Sequence, residues 1–458
     1  MRACERASQV DSRDICDKDN STGDAVSTHI PPMRIRSPGS PLFGTPLFGT
    51  PLFGNSLFGT SWFAKPRAVT LLLAALPYLA ACRSLVPGAA PRFPFVPSPT
   101  VADTIDTEVL SNAVRLHRLV NVTAPWRAWV LDVNMSACVS VQALKGEATA
   151  VGRNTTSVLL SRLPAEVNAL AAVNADFFLF APPGVPTNAH IERGTVIAGP
   201  GPNVLLGYDA ARGLFIDSVR VSGSVVSTRG SIELLNWNRP AASRAGLVDA
   251  HWGVPLDTVT RTRSVRLDPI RPVRPDSSPG RYVVRTTRMG DTLVYGDTLL
   301  LVVPPAMRAR AIEGDTVSVQ RRITPFWPRE TVGGRGVLLI DSVVGVDVDT
   351  EGNAGFQGLN PRTAAGIARV GNSQRLLLAV IDGRQPGYSV GMTLRQTAEL
   401  LQSLGAQRAI NLDGGGSSAM IVRDRSTGAV RVRNTPSDPT GERPVGNALA
   451  VLGVCARR

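Results

Sequence analysis

Lysine is nearly missing from this 458-residue chain, at three of its 49 basic residues. Arginine supplies the other 46, scattered singly among acids, and codon composition accounts for that skew more simply than function does. No stretch masses basic charge with aromatics between, so nucleic acid is not the expected partner despite a formal charge of +13. Aromatics are only 5%, which argues against a long sugar-stacking groove. No apolar run reaches the roughly 18 residues of a spanning helix, which excludes a multi-pass membrane protein. Zinc has no CxxC or Cys/His cluster, and calcium has no EF-hand spacing. What is abundant is apolar: 43% hydrophobic content excludes a largely disordered chain. The length allows about three ordinary domains.

Residues 1 to 64 read as a doubtful N-terminal extension: 41 to 60 are four tandem pentads, PLFGT, PLFGT, PLFGN and SLFGT, preceded by a polar segment with no helical or strand period. Four pentads are too short for a solenoid. Residues 65 to 82 then read as an export signal: Lys65 and Arg67, an apolar stretch, and the tetrad Leu79-Ala80-Ala81-Cys82. That tetrad resembles a bacterial lipobox, and the resemblance implies a lipidated Cys82. The plain alternative is a short buried helix with an incidental cysteine. Because export signals start near the initiator, a misassigned upstream start codon is expected. The Pro-rich sequence at 83 to 105 suits an extended tether, and the folded domain is expected over 106 to 458. Localisation is expected in the bacterial cell envelope, periplasmic or at the outer membrane, with a lipid as the only membrane attachment.

Of five cysteines, Cys138 and Cys455 are left for the exported domain. They can pair as a disulfide, although both flanks read as buried strands in which a free cysteine is equally at home.

The fold class expected is α+β, with mixed β-rich sheets and a C-terminal strand–helix–strand unit. From 106 to 222, apolar β-branched runs alternate with Gly, Pro and Asn, interrupted by one helix at about 155 to 163. The stretch 223 to 335 reads as a β-rich continuation or small inserted subdomain ending near Gly333-Gly334. LLLAVID at 376 to 382 has the continuous apolarity of a strand buried on both faces. Thr393 and Gln396 match a capping box, followed by a helix over 394 to 404. AINLD at 409 to 413 reads as the next strand. Such a unit makes the two strands parallel, so Asp382 and Asp413 stand at the same sheet edge. If the strands are neighbours, the carboxylates approach within roughly 5 to 9 Å, the separation used for acid/base work on a glycosidic bond. Alternatively each Asp only caps a turn.

The loop Gly414-Gly415-Gly416-Ser417-Ser418 follows Asp413. Its glycines let backbone amides turn toward an anion and its hydroxyls add donors, although no Gly-Lys-Ser/Thr makes it a Walker loop. Arg384 and Arg362 offer guanidinium forks for phosphate, or are merely solvated arginines.

Together NADFF (174 to 178), PRTAAG (361 to 366), IDGR (381 to 384), GMTLRQTAELLQSLGA (391 to 406), NLDGGGSS (411 to 418) and ERPVGNAL (442 to 449) resemble the phosphodiester glycosidase family. Members include the animal uncovering enzyme that removes N-acetylglucosamine from phosphodiesters. The resemblance runs over roughly 110 to 455 and is loose in the middle third. It departs at Ala175-Asp176, where NGGFF is more usual. It implies cleavage of a sugar-1-phosphodiester at the anomeric carbon, on cell-envelope or exopolysaccharide glycans. Asp413 and Asp382 would form the acid/base or nucleophile pair, with Asp176 a third candidate. Arg362, Arg384 and Arg443 would hold phosphate, while Asn174, Thr363, Ser417 and Ser418 would orient sugar and phosphate. No cofactor is required, and a divalent cation among the Asp residues is compatible with the composition. The expected partner is a phosphorylated or phosphodiester-linked glycan. The competing expectation is a non-catalytic envelope lipoprotein that binds or helps assemble anionic glycans.

Overall fold

A computed structural model describes residues 102 to 454, apart from 136–137, 200, 202–203, 241–243, 257–263, 275–277, 287–292, 346–347 and 353. The pentads, the leader with Cys82, most of the Pro-rich segment, and Cys455 lie outside the described residues.

Strands dominate. Among the described residues they form two eight-stranded and two five-stranded sheets, and the longest helix has ten residues. The first eight-stranded sheet has at its centre the strands Trp126–Asn134, Ser373–Ile381, Arg362–Val370 and Arg408–Asn411, in that spatial order. A five-stranded sheet containing Val139–Lys145, Ala169–Asn174, Met420–Arg423 and Asn447–Gly453 packs against it. Alternation along Ser373–Ile381 explains its continuous apolarity. Leu376, Leu378 and Val380 enter the core between the sheets, whereas Leu377, Ala379 and Ile381 face the helix Leu394–Ser403. The helix Thr156–Ser161 covers the outer face of the second sheet through Leu159 and Leu160. The result is a helix–sheet–sheet–helix layering, in which the central strands of both sheets are buried on both faces while the edge strands Thr104–Ser111 and Val430–Val432 are largely exposed. Each fully buried Leu here contributes about 1.5–3 kcal/mol.

The helix Leu394–Ser403 begins as its sequence predicts, with the Thr393 hydroxyl accepting from Gln396 N–H and the Gln396 side chain closing the box. The strands on either side of it run the same way, but they are not neighbours. Arg362–Val370 lies between them, antiparallel to both. The inserted strand comes earlier in the chain, so the local pattern of 376 to 413 carried no sign of it.

The middle stretch is a unit of sheet structure: eight strands between Arg220 and Thr324 form the second large sheet, around its own core of Trp237, Leu267, Tyr282 and Val319. A second five-stranded sheet, including His190–Glu192 and Glu330–Gly333, packs into the core of this middle sheet. Cys138 is disulfide-bonded, with its partner outside the described residues. It sits in an exposed turn, not a buried strand, and its carbonyl accepts from Val454 N–H. Among the described residues no helix is long and apolar enough to cross a membrane.

Candidate active site

The ends of strands from three sheets converge on one place. Ala169–Asn174 and Arg408–Asn411 end there, Glu330–Gly333 arrives from the third sheet, and Arg362–Val370 begins there. Two backbone bonds stitch the ends together: Leu412 N–H to Thr363 O at 2.8 Å, and Asp413 N–H to Ala175 O at 2.7 Å. The Asn174 side chain completes the seam. Its amide donates to Asp413 O at 2.5 Å and its oxygen accepts from Thr363 Oγ1 and Ala419 N–H.

Above this seam opens a cleft of about 730 Å³. Four guanidiniums line it, those of Arg335, Arg362, Arg384 and Arg443, together with Phe177, Phe356 and the loop Gly414 to Gly416. Asp413 is its one lining carboxylate among the described residues. Burial raises the Asp413 carboxyl to about 7, with the Asp176 charge adding to the rise. The Ser417 hydroxyl, the Arg443 charge and the Gly414 N–H act the other way. Asp176 is itself buried. Its oxygens accept from Thr187 Oγ1 at 3.0 Å, Asn188 N–H at 2.9 Å and Asn188 Nδ2 at 2.9 Å, yet burial still raises it to about 6. Gly333 permits this crowding, since a Cβ there would lie 2.5 Å from Asp176 Oδ2.

The arginines are held in different ways. Arg362 is buried, and among the described residues its guanidinium donates only to backbone oxygens, those of Met392, Phe356 and Gly358. Burial, then the neighbouring Arg384 charge, lowers it to about 10. Arg384 donates to Asn360 Oδ1 and adopts φ +60°, a left-handed conformation costly for a residue with a Cβ and common at functional sites. Arg443 is paired with Asp438 at 2.6 Å, and Arg335 with Glu351 at 2.6 Å.

The glycine loop works differently from the expected nest. The N–H groups of Gly415, Ser417 and Ser418 bond to Pro361, Gly414 and Gly415 carbonyls, so these amides already have partners. What the glycines provide is room. A Cβ on Gly416 would overlap the Arg443 guanidinium, and one on Gly415, at φ +63°, would lie 3.3 Å from the Arg384 nitrogens.

Several sequence expectations are corrected here. Asp382 does not pair with Asp413, because an intervening strand separates them and its carboxylate points elsewhere. Asp382 accepts from Asn434 Nδ2 at 3.1 Å, Thr435 N–H at 2.9 Å and Tyr388 OH at 3.2 Å, and burial raises it to about 6. Asn174 and Thr363 are fully buried and bond to each other, so they shape the seam and do not face a sugar. Ser417 and Ser418 are also buried, and Ser417 bonds to Asp413. Arg335, Phe177, Phe356 and Asn188 were not singled out. Arg335 directly follows the Gly333-Gly334 pair, and Phe177 lies within NADFF, signals that a register argument could have used. No group of three or more His, Cys, Asp or Glu fit to hold a metal occurs among the described residues.

Comparison with known proteins bears on the same region. Residues 308–452 match the family model for phosphodiester glycosidases. No curated protein matches the sequence. A hypothetical protein from Synechocystis shares the fold at TM-score 0.60 and 18% identity; the match covers 76% of this chain and 64% of that one, under two thirds of its length. A Burkholderia pseudomallei protein named as exported superposes at TM-score 0.54 and 26% identity, covering 72% of this chain and 74% of that one. The catalytic domain of zebrafish N-acetylglucosamine-1-phosphodiester alpha-N-acetylglucosaminidase, auto-inhibited by its pro-peptide, matches at TM-score 0.38 and 14% identity over 77% and 84% of the two chains, too loosely to bear on detail. Over residues 308–452 this chain carries a domain of the phosphodiester glycosidase family.

Proposed function

We propose that the protein hydrolyses a sugar-1-phosphodiester at the anomeric carbon, releasing the sugar and a phosphomonoester. One observation carries this reading: a single carboxylate with a raised pKa, Asp413, lines a cleft with four guanidiniums. An anionic diester is drawn to such a cleft, and Arg362 and Arg384, bonded only to amide oxygens, are its natural holders.

In this proposal Asp413 acts as general base. It takes a proton from a water that attacks the anomeric carbon. The bond from that carbon to the phosphate oxygen breaks, and its electron pair leaves with the phosphate. The leaving phosphate needs little protonation, so the guanidiniums stabilise the second negative charge as it develops. The protonated Asp413 and the dianionic product carry the same total charge as the ionised Asp413 and the monoanionic substrate. A base with pKa near the working pH suits this task. Arg443 and Arg384, seated against Gly416 and Gly415, contribute to the phosphate site, while Asp176 tunes Asp413.

Export is part of the proposal. The leader at 65 to 82 and the likeness to an exported Burkholderia protein support it, and envelope or exopolysaccharide glycans would then be the substrates. Lipid labelling that survives Cys82→Ser would remove the anchor. For the activity, wild type and Asp413→Asn are incubated with synthetic sugar-1-phosphodiesters, and free sugar and phosphomonoester are measured. Release by wild type and its loss in the variant are expected. Tight glycan binding without release by wild type would instead favour a non-catalytic glycan-binding lipoprotein.

A further inference from the structure

Behind Asp176 lies a buried polar chain that the proposed chemistry does not use. The backbone N–H of Asp176 donates to Asn447 Oδ1 at 2.7 Å. Asn447 opens the strand Asn447–Gly453 and is fully buried. Because its oxygen takes that bond, the atom facing His190 Nδ1 at 3.1 Å is the amide nitrogen. An amide nitrogen only donates, so His190 Nδ1 accepts, and the imidazole proton sits on Nε2. Nε2 faces Glu192 Oε2 at 4.0 Å. His190 is completely buried, and burial keeps it neutral: desolvation lowers its pKa, aided by the Lys145 charge and opposed by Glu192.

The geometry points to His190 as a positioning residue for the Asp176–Asp413 pair: through Asn447, its unprotonated Nδ1 fixes the Asp176 backbone and thereby the carboxylate that acts on Asp413. The Asp176 side chain is fixed from the other side by Thr187 and Asn188, so the Asn447 bond completes its placement. Without an acceptor at residue 190, the Asn447 NH₂ would be a buried donor with no partner. Turning the amide to relieve it would aim that donor at the Asp176 N–H, and two donors cannot bond. Asparagine at 190 keeps an oxygen close to the place of Nδ1, whereas leucine fills the volume and offers none. The inference rests on the reading of Asp413 as the active carboxylate, but its geometry is testable without turnover.

Two measurements on the full chain, both without substrate, provide the test. In ¹⁵N-histidine NMR at neutral pH, His190 should show an unprotonated Nδ1 and a protonated Nε2. A protonated Nδ1, whether in the other tautomer or in an imidazolium, would overturn the inference. In ¹³C-carboxyl titration, the Asp413 midpoint should fall by roughly half a pH unit or more in His190→Leu, as the Asp176 charge loses its fixed place, and return in His190→Asn. An unmoved midpoint in folded His190→Leu overturns the inference. Should that variant not fold, the tautomer and the midpoint of His190→Asn decide, and a His190→Asn midpoint away from wild type also overturns it. A protein that cleaves no sugar phosphodiester could still pass both measurements, so this inference and the proposed activity fail separately.

Discussion

Asp176 and Asp413 each lie two residues beyond a strand end, the strands belonging to different sheets, and one backbone bond ties the two segments together. Asp413 N–H donates to the carbonyl of Ala175, and the Asp176 charge adds to burial in lifting the Asp413 carboxyl to about 7. Two carboxyls of raised pKa, the half-buried Asp413 in the cleft and the buried Asp176 behind it, have consequences for stability as well as for chemistry.

The stability consequence has a definite sign. In the unfolded chain an Asp releases its proton near 3.8, whereas Asp413 and Asp176 hold theirs to about 7 and 6 in the fold. Between those values the folded state binds more protons, so stability is fullest below the unfolded pKa and declines as pH rises through 6 and 7. Thermal unfolding without ligand should show a falling Tm over that window. Asp413→Asn, which cannot ionise, should melt about 2–4 °C above wild type at pH 8. A variant melting at or below wild type there would show that burial of this carboxylate carries no such cost.

Activity should run opposite to stability. If Asp413 is the base, kcat/KM for a sugar-1-phosphodiester rises with its ionisation, with an acid limb near 7 in the free enzyme. Asp176→Asn removes the neighbouring charge, so its limb should move to lower pH. A limb that stays in place would detach Asp176 from the tuning of Asp413.

The glycine loop predicts a steric effect on binding. Gly416→Ala puts a Cβ where the Arg443 guanidinium lies, and should raise KM about tenfold with little change in Tm. Arg384→Met removes a donor fork and should raise KM by about 10- to 100-fold. Unchanged KM in both variants would mean that phosphate is held elsewhere.

Asp382 is expected to be structural. Its bonds to Asn434, Thr435 and Tyr388 tie down the turn that carries Arg384. Asp382→Asn should therefore lower Tm while leaving kcat within about tenfold of wild type, against a far larger loss in Asp413→Asn. Equal losses of kcat in the two variants would restore Asp382 to the chemistry.

Local pattern was a good guide wherever one element decides its own structure. The capping box at Thr393 and Gln396, the doubly buried strand at 376 to 382, and the arginines and glycines around Asp413 could all be read along the chain. It failed where the outcome depends on pairing between distant segments. Arg362–Val370 slips between the two strands that carry Asp382 and Asp413, and nothing between 376 and 413 encodes that. The role of Asn174 is not legible along the chain for a related reason. An asparagine at a strand end can face a ligand or bridge strand ends, and only the meeting of Asn174, Thr363 and Ala419 decides which. Asp176 looked like a departure from a motif, and only tertiary contact made it the neighbour that acts on Asp413.

In the proposed reaction the bond broken lies between the anomeric carbon and oxygen. Hydrolysis of a sugar-1-phosphodiester in ¹⁸O-labelled water, with both products weighed by mass spectrometry, tests it directly. Label in the C1 hydroxyl of the released sugar, and none in the phosphomonoester, is predicted. Label in the phosphate would make the protein a phosphodiesterase that attacks phosphorus, and would contradict the account.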